Sequence, residues 1–94
     1  MKFEWDNNKD EINVKKHKIS FEEARKVFFD PFHLSMRDPD HSNDEERWLT
    51  MGLCEGALVV VVIHTYRNSD SEEYIRLISA RNATSRERKQ YFNR

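Results

Sequence analysis

Apolar and polar positions change their period several times along this chain, and each change marks an element. "KFEW" (2–5) alternates polar and apolar, which predicts a short strand. Asp6 then fits an N-cap, and "NNKDEINVKKHK" (7–18) follows as a weakly amphipathic helix. Ser20 and Glu23 form a capping-box pair, with Ile19 and Ala24 placed as its hydrophobic staple. Phe21, Ala24, Val27 and Phe28 recur at helical spacing, so a second helix buries that stripe. It ends at Asp30-Pro31, because the residue before proline avoids the helical region.

The period then shortens to two. "FHLSM" (32–36) predicts an edge strand, and "RDPDHSNDEE" (37–46) a polar loop. "RWLTMGLC" (47–54) and "ALVVVVIHTY" (57–66) form a hairpin around Glu55-Gly56. The density of valine in the second of these suits the centre of a sheet. "RNSDSEE" (67–73) is read as a polar turn and "YIRLISA" (74–80) as an alternating strand. "TSRE" (84–87) is a second capping box that opens a final helix. The order β-α-α-β-β-β-β-α segregates helices from strands. It predicts the α+β class, with an antiparallel sheet packed by helices on one face. The first strand would close the core by lying beside a late one.

Composition narrows the picture. The 94 residues suit a single domain spanning 1–94, since two independent cores would need more chain. Six Phe, two Trp and three Tyr with a net charge of −1 exclude a disordered chain. The longest apolar run, "ALVVVVI" (57–63), is far below membrane-spanning length. With one cysteine and no signal-like segment, a reducing cytoplasm is the expected compartment. The small net charge hides an asymmetry. Residues 76–94 hold six Arg or Lys against Glu87 alone, so this end is cationic and the remainder acidic. That pattern predicts a local anion site instead of a wholly basic coat.

Several segments in order resemble the BrnT family of bacterial type II toxins: "FEWD" (3–6), "KKH" (15–17), "ISFEEA" (19–24), "DPDH" (38–41), "ERW" (46–48), "HTYR" (64–67), "RLISARNAT" (76–84) and "RERKQY" (86–91). The resemblance implies a compact fold similar to the RelE type of ribonuclease toxin. It implies RNA cleavage, translation inhibition and growth arrest. It also implies a ribbon-helix-helix antitoxin that neutralises the toxin in a complex holding two toxin copies. Operator DNA would be reached only through that antitoxin. Three departures stand out. His17-Lys18 replaces a usual His-Gly, the turn "NSDSEE" (68–73) is unusually acidic, and Phe92 follows the terminal Tyr where an acid is common.

RNA supplies its own nucleophile, the 2′-hydroxyl, so such an enzyme needs no metal or other cofactor. It needs a proton acceptor, cations for the crowded phosphate and a proton donor for the leaving oxygen. Arg67, Arg76 and Arg81 are the expected phosphate clamp, since a guanidinium grips two phosphate oxygens. Surface ion pairs with Glu72 and Glu73 are the alternative. His64 is the expected proton-transfer group, because imidazole titrates near neutrality. Its alternation with Leu58, Val60 and Val62 equally fits a core-edge histidine. Tyr91 fits either base stacking and phosphate contact or packing of the last helix. Arg86 and Lys89, one turn apart, would track the RNA backbone, with Lys16 and His17 as further contacts. Arg88 falls on another face, toward the sheet or a partner. The loop acids Asp38, Asp40 and Asp44 with His41 lack the glycine and terminal glutamate of an EF-hand, since Asn43 and Leu49 stand there. A solvated loop, or an arm toward a basic antitoxin, fits them better.

Overall fold

The three α-helices open on side-chain caps that the sequence announces, and they pack on a sheet of five strands. The computed structural model describes residues 1–38, 46–56 and 58–93. Strand β1 (Lys2–Glu4) leads into helix α1 (Asn7–His17), where the Asp6 carboxylate accepts from the backbone N–H groups of Asn8 and Lys9. Helix α2 (Phe21–Ala24) opens on the expected capping box, Ser20 with Glu23, and continues as a 3-10 turn over Arg25–Phe29. Strands β2 (Leu34–Arg37), β3 (Trp48–Leu53), β4 (Val59–Ser69) and β5 (Glu72–Asn82) follow. Helix α3 (Ser85–Phe92) starts at the second capping box, Thr84 with Glu87.

The sheet order is β1-β5-β4-β3-β2. β1 does lie beside the last strand, but parallel to it, with Phe3 opposite Ile75. The sheet is therefore mixed and not wholly antiparallel. No hairpin could join such a pair, and α1, α2 and the strands β2–β4 all lie between its two members in the chain. A second expectation changes at residues 67–73. Here β4 and β5 run on to a two-residue turn, Asp70-Ser71, both at positive φ. Such a turn matches the twist of the flanking strands. Arg67 thus lies within a strand, opposite Tyr74.

The valine run explains the layers. Val59, Val60, Val61 and Val62 are all buried. Val60 and Val62 join Phe21, Ala24, Val27, Phe28, Ile75 and Leu77 on the first face of the sheet. Val59 and Val61 join Met51 and Tyr91 on the second face. Helices therefore pack on both faces, α2 and its 3-10 turn on the first and α3 on the second, and not on one face only, while α1 lies at the margin of β5. A residue run buried on both sides has no need to alternate.

Three local devices lock the layers. The Asn13 side chain donates to the Ala80 carbonyl (2.9 Å) and accepts from the Ala80 N–H (3.1 Å). It thereby occupies the margin of β5 beyond the three residues that β1 pairs, as a strand would. Asp30 accepts from the Leu53 N–H (2.8 Å) and from the Tyr91 hydroxyl, which joins the 3-10 turn, β3 and α3. Gly52 permits the close approach of β3 to that turn, since a Cβ there would lie 2.9 Å from the Val27 carbonyl oxygen. Among the described residues, no helix is long and apolar enough to cross a membrane.

Candidate functional site

Alternation along β4 and β5 sends Arg67, Arg76 and Arg81 to the second face. Arg67 follows Ile63 and Thr65 on that side, and Arg76 stands opposite Thr65. β5 carries one extra residue, Ile78, between the pairs Leu77–His64 and Ser79–Ile63. This bulge keeps Arg81, opposite Val61, on the second face as well. The three arginines expected to act together therefore share a face.

Each of them already holds a carboxylate. Arg67 grips Glu4 through two hydrogen bonds (2.8 and 2.7 Å), and Arg76 reaches the same group at 3.4 Å. The Arg67 guanidinium also lies over the Tyr74 ring at 4.7 Å. The hydrogen bond from Arg67 is the main reason that the Glu4 carboxyl is held below its usual range. Glu72 and Glu73 are not the partners. Two guanidinium groups on one carboxylate leave about one positive charge on this part of the face. Arg81 makes a bidentate pair with Glu87 (2.7 and 3.0 Å). Hydrogen bonding from Arg81 holds the Glu87 carboxyl at about 2, against the cost of its burial. Glu87 also accepts from the Thr84 N–H, so this pair ties β5 to the start of α3.

Beside Arg81 the second face opens into a groove of about 360 Å³. Asp38, Arg47, Leu49, Ile63 and Ser79 form its walls with Arg81. Among the described residues, no carboxylate pairs with Arg47. Arg47 and Asp38 are held together by the backbone bond from the Asp38 N–H to the Arg47 carbonyl, 2.8 Å. Arg47 was not among the residues expected from the sequence to bind RNA. Its signal was nevertheless there: it alternates with Leu49, Met51 and Leu53, which puts it on the face they share.

His64 is elsewhere. It is 0% exposed and faces the helices, across the sheet from the arginines. Its Nε2 shares a hydrogen bond with Thr50 Oγ1 (2.7 Å), which in turn meets Ser35 Oγ (2.7 Å). Phe28 and Tyr66 meet its ring edge-on at 4.9 and 5.2 Å. Burial pushes its pKa down to about 4. The imidazole expected as a proton-transfer group thus lies on the opposite side of the sheet from Arg67, Arg76 and Arg81. Its alternation with Val60 and Val62 was the reading that fits. Tyr91 is likewise a core residue, 4% exposed and bonded to Asp30, and it is not presented to a base.

Arg86 and Lys89 are exposed on α3, and Arg88 lies over the Phe92 ring at 5.7 Å. Lys16 and His17 line a second groove of about 250 Å³ beside α1. Lys18, after them, takes the left-handed conformation at φ 63 that the absent glycine would have adopted freely. Among the described residues, no three His, Cys, Asp or Glu side chains group as metal ligands. Asp40, His41 and Asp44 lie outside the described residues.

The comparisons place this architecture in a class. A family model for the ribonuclease toxin BrnT of type II toxin-antitoxin systems matches residues 5–87. The chain belongs to that family. Its fold is similar to the crystal structure, at 1.1 Å resolution, of the Brucella abortus ribonuclease toxin BrnT. The two are 26% identical, the match covers 90% of this chain and 99% of the other, and the TM-score is 0.62. A search of curated proteins gave no match. Membership makes the chain a toxin of the ribonuclease type, and a type II toxin has a cognate antitoxin.

Proposed function

We propose that the chain is a cytoplasmic endoribonuclease toxin that binds RNA in the groove between β3, β4 and β5 and cuts it by attack of the RNA's own 2′-hydroxyl. The observation that carries this is the pair of guanidinium groups on the walls of one groove, Arg47 at the start of β3 and Arg81 on β5, with Ile63 of β4 between them. Arg47 holds the phosphate and stabilises its growing charge. Asp38, on the same wall, takes the hydroxyl proton as the P–O5′ bond breaks, and the departing 5′-oxygen takes a proton from water. Arg67 and Arg76 raise the positive potential along the same face. No metal takes part in this reading. The RelE-like comparison, the arrest of translation and a ribbon-helix-helix antitoxin that carries two toxin copies complete it.

The test is cleavage of a defined RNA by the purified chain, with and without a chelator, followed by mapping of the ends. A 2′-hydroxyl route leaves 5′-hydroxyl and cyclic-phosphate ends and is indifferent to chelation. Arg47→Gln lowers kcat/KM about 10²–10³-fold, the usual effect of removing one donor to a charged transition state. Metal-dependent cutting, or full activity in Arg47→Gln, overturns the proposal.

One observation favours a second reading. With His64 behind the sheet, no imidazole lines the groove among the described residues. A non-catalytic protein that binds RNA or acts as corepressor with a DNA-binding antitoxin would need none. It would bind RNA and leave it uncut.

A further inference from the structure

Two grooves meet at one point of the sheet. Ile78 and Ser79 line both of them. These residues form the β5 bulge, and they lie beyond Arg76, the last residue that β1 pairs. Past that point, among the described residues, the outer margin of β5 pairs with no strand, and α1 stands beside it, joined through Asn13 to Ala80. The margin is thus a low ridge with a groove on each side. Arg47 and Arg81 lie on one side of it, and Lys9, Lys16 and His17 on the other.

The α1 groove has a chemistry of its own. Lys9, Ile12 and Lys16 stand at helical spacing along one stripe of α1. Among the described residues, no carboxylate lines the groove. Lys9 and Lys16 are exposed, and neither side chain is paired or hydrogen-bonded among the described residues. Ile12, 62% exposed between them, offers an apolar surface to the groove. Cations flanking an apolar surface suit a phosphate backbone with a base laid against it.

We infer that one RNA strand passes over the β5 ridge at Ile78–Ser79, gripped by Arg47 and Arg81 before it and by Lys9, Lys16 and His17 after it, with a base against Ile12. This rests on the ribonuclease reading and adds a second subsite to it. It also names the substrate class. A ridge between grooves of about 360 and 250 Å³ admits a flexible single strand, nucleotide by nucleotide, and turns away a wide, stiff duplex.

The test is fluorescence anisotropy with a labelled twelve-nucleotide RNA whose 2′-hydroxyls are methylated, so that it cannot be cut by the proposed route. Wild type, Arg47→Gln and the double variant Lys9→Gln/Lys16→Gln are compared between 50 and 200 mM salt. The double variant is expected to bind at least about fivefold more weakly. Its slope of log affinity against log salt falls by about 1.4, since each phosphate contact on a single strand contributes ~0.7. A duplex of the same sequence binds weakly to all three proteins. Unchanged affinity and slope in the double variant, in a protein that loses binding with Arg47→Gln, overturns the ridge path and leaves the ribonuclease reading standing. Duplex binding as tight as single-strand binding overturns it too. Wild-type protein that neither binds this probe nor cuts unmodified RNA overturns both.

Discussion

Glu87 is the carboxylate on which two parts of the site lean, and its neutralisation is a quantitative test of the electrostatics. It accepts two hydrogen bonds from Arg81 and one from the Thr84 N–H. Its carboxyl is held at about 2, against an ordinary value of 4.5. At ~1.4 kcal/mol per pH unit, that gap is at most about 3 kcal/mol of native-state stabilisation. The Glu87 side chain is 16% exposed, but Arg81 is 36% exposed, so solvent screens the pair. Discounting for that leaves roughly 1–2 kcal/mol. Glu87→Gln keeps the shape and one acceptor oxygen while removing the charge. At pH 7 it is expected to lower stability by that amount, or Tm by about 4–16 °C at ~4–8 °C per kcal/mol for a domain of this size. The pH dependence has a definite sign. A carboxyl depressed in the folded state stabilises above its unfolded value and loses that contribution as pH falls toward the folded value. The difference between wild type and Glu87→Gln should therefore be full above pH 5 and shrink toward pH 2. Urea unfolding followed by tryptophan fluorescence, at steps across that range, reads it. A difference that stays constant from pH 7 to pH 3, or is below about 0.3 kcal/mol at pH 7, refutes the reasoning.

Three further perturbations follow from the same geometry. His64 is buried neutral with its pKa at about 4 against 6.5, so stability is full above pH 6.5 and falls as pH drops toward 4; His64→Phe should flatten that slope in thermal melts at pH 7, 5.5 and 4.5, while leaving the pH profile of RNA cleavage unmoved. Gly52→Ala places a methyl 2.9 Å from the Val27 carbonyl oxygen, which cannot yield without moving the 3-10 turn, and should cost about 1–3 kcal/mol in urea unfolding. Lys18→Gly relieves a left-handed residue at φ 63, at the loss of a 3.2 Å bond to the Lys15 carbonyl, and should raise stability by about 0.5–1 kcal/mol in the same assay.

The fold was largely legible because its signals are local. Both capping boxes and the Asp6 cap form as the residues at those spacings require. Asp30 ends the second helical segment and then does something no local rule announces, accepting from β3 and α3 at once. The parallel seat of β1, the length of the last hairpin and the second-face position of α3 were not legible. Each depends on which distant surface remained uncovered once the valine strand was buried on both sides.

The site divides in the same way. The residue types that meet phosphate, and their crowding toward the C-terminal end, are facts of the sequence. So is the alternation that puts Arg67 and Arg76 on one side of a strand. Their partners are not. Glu4 is 63 residues from Arg67, and Arg47 reaches the groove of Arg81 from across two strand pairings. His64 had two readings of equal standing in sequence, catalytic or core. The structure puts it in the core on the helix side, which sequence could not specify, because alternation fixes which residues share a face but not which face the helices cover. Sequence thus determined the elements and the chemistry available to them. Tertiary structure decided which cations were neutralised and which still faced a groove, since that depends on the whole path of the chain and not on any neighbour along it.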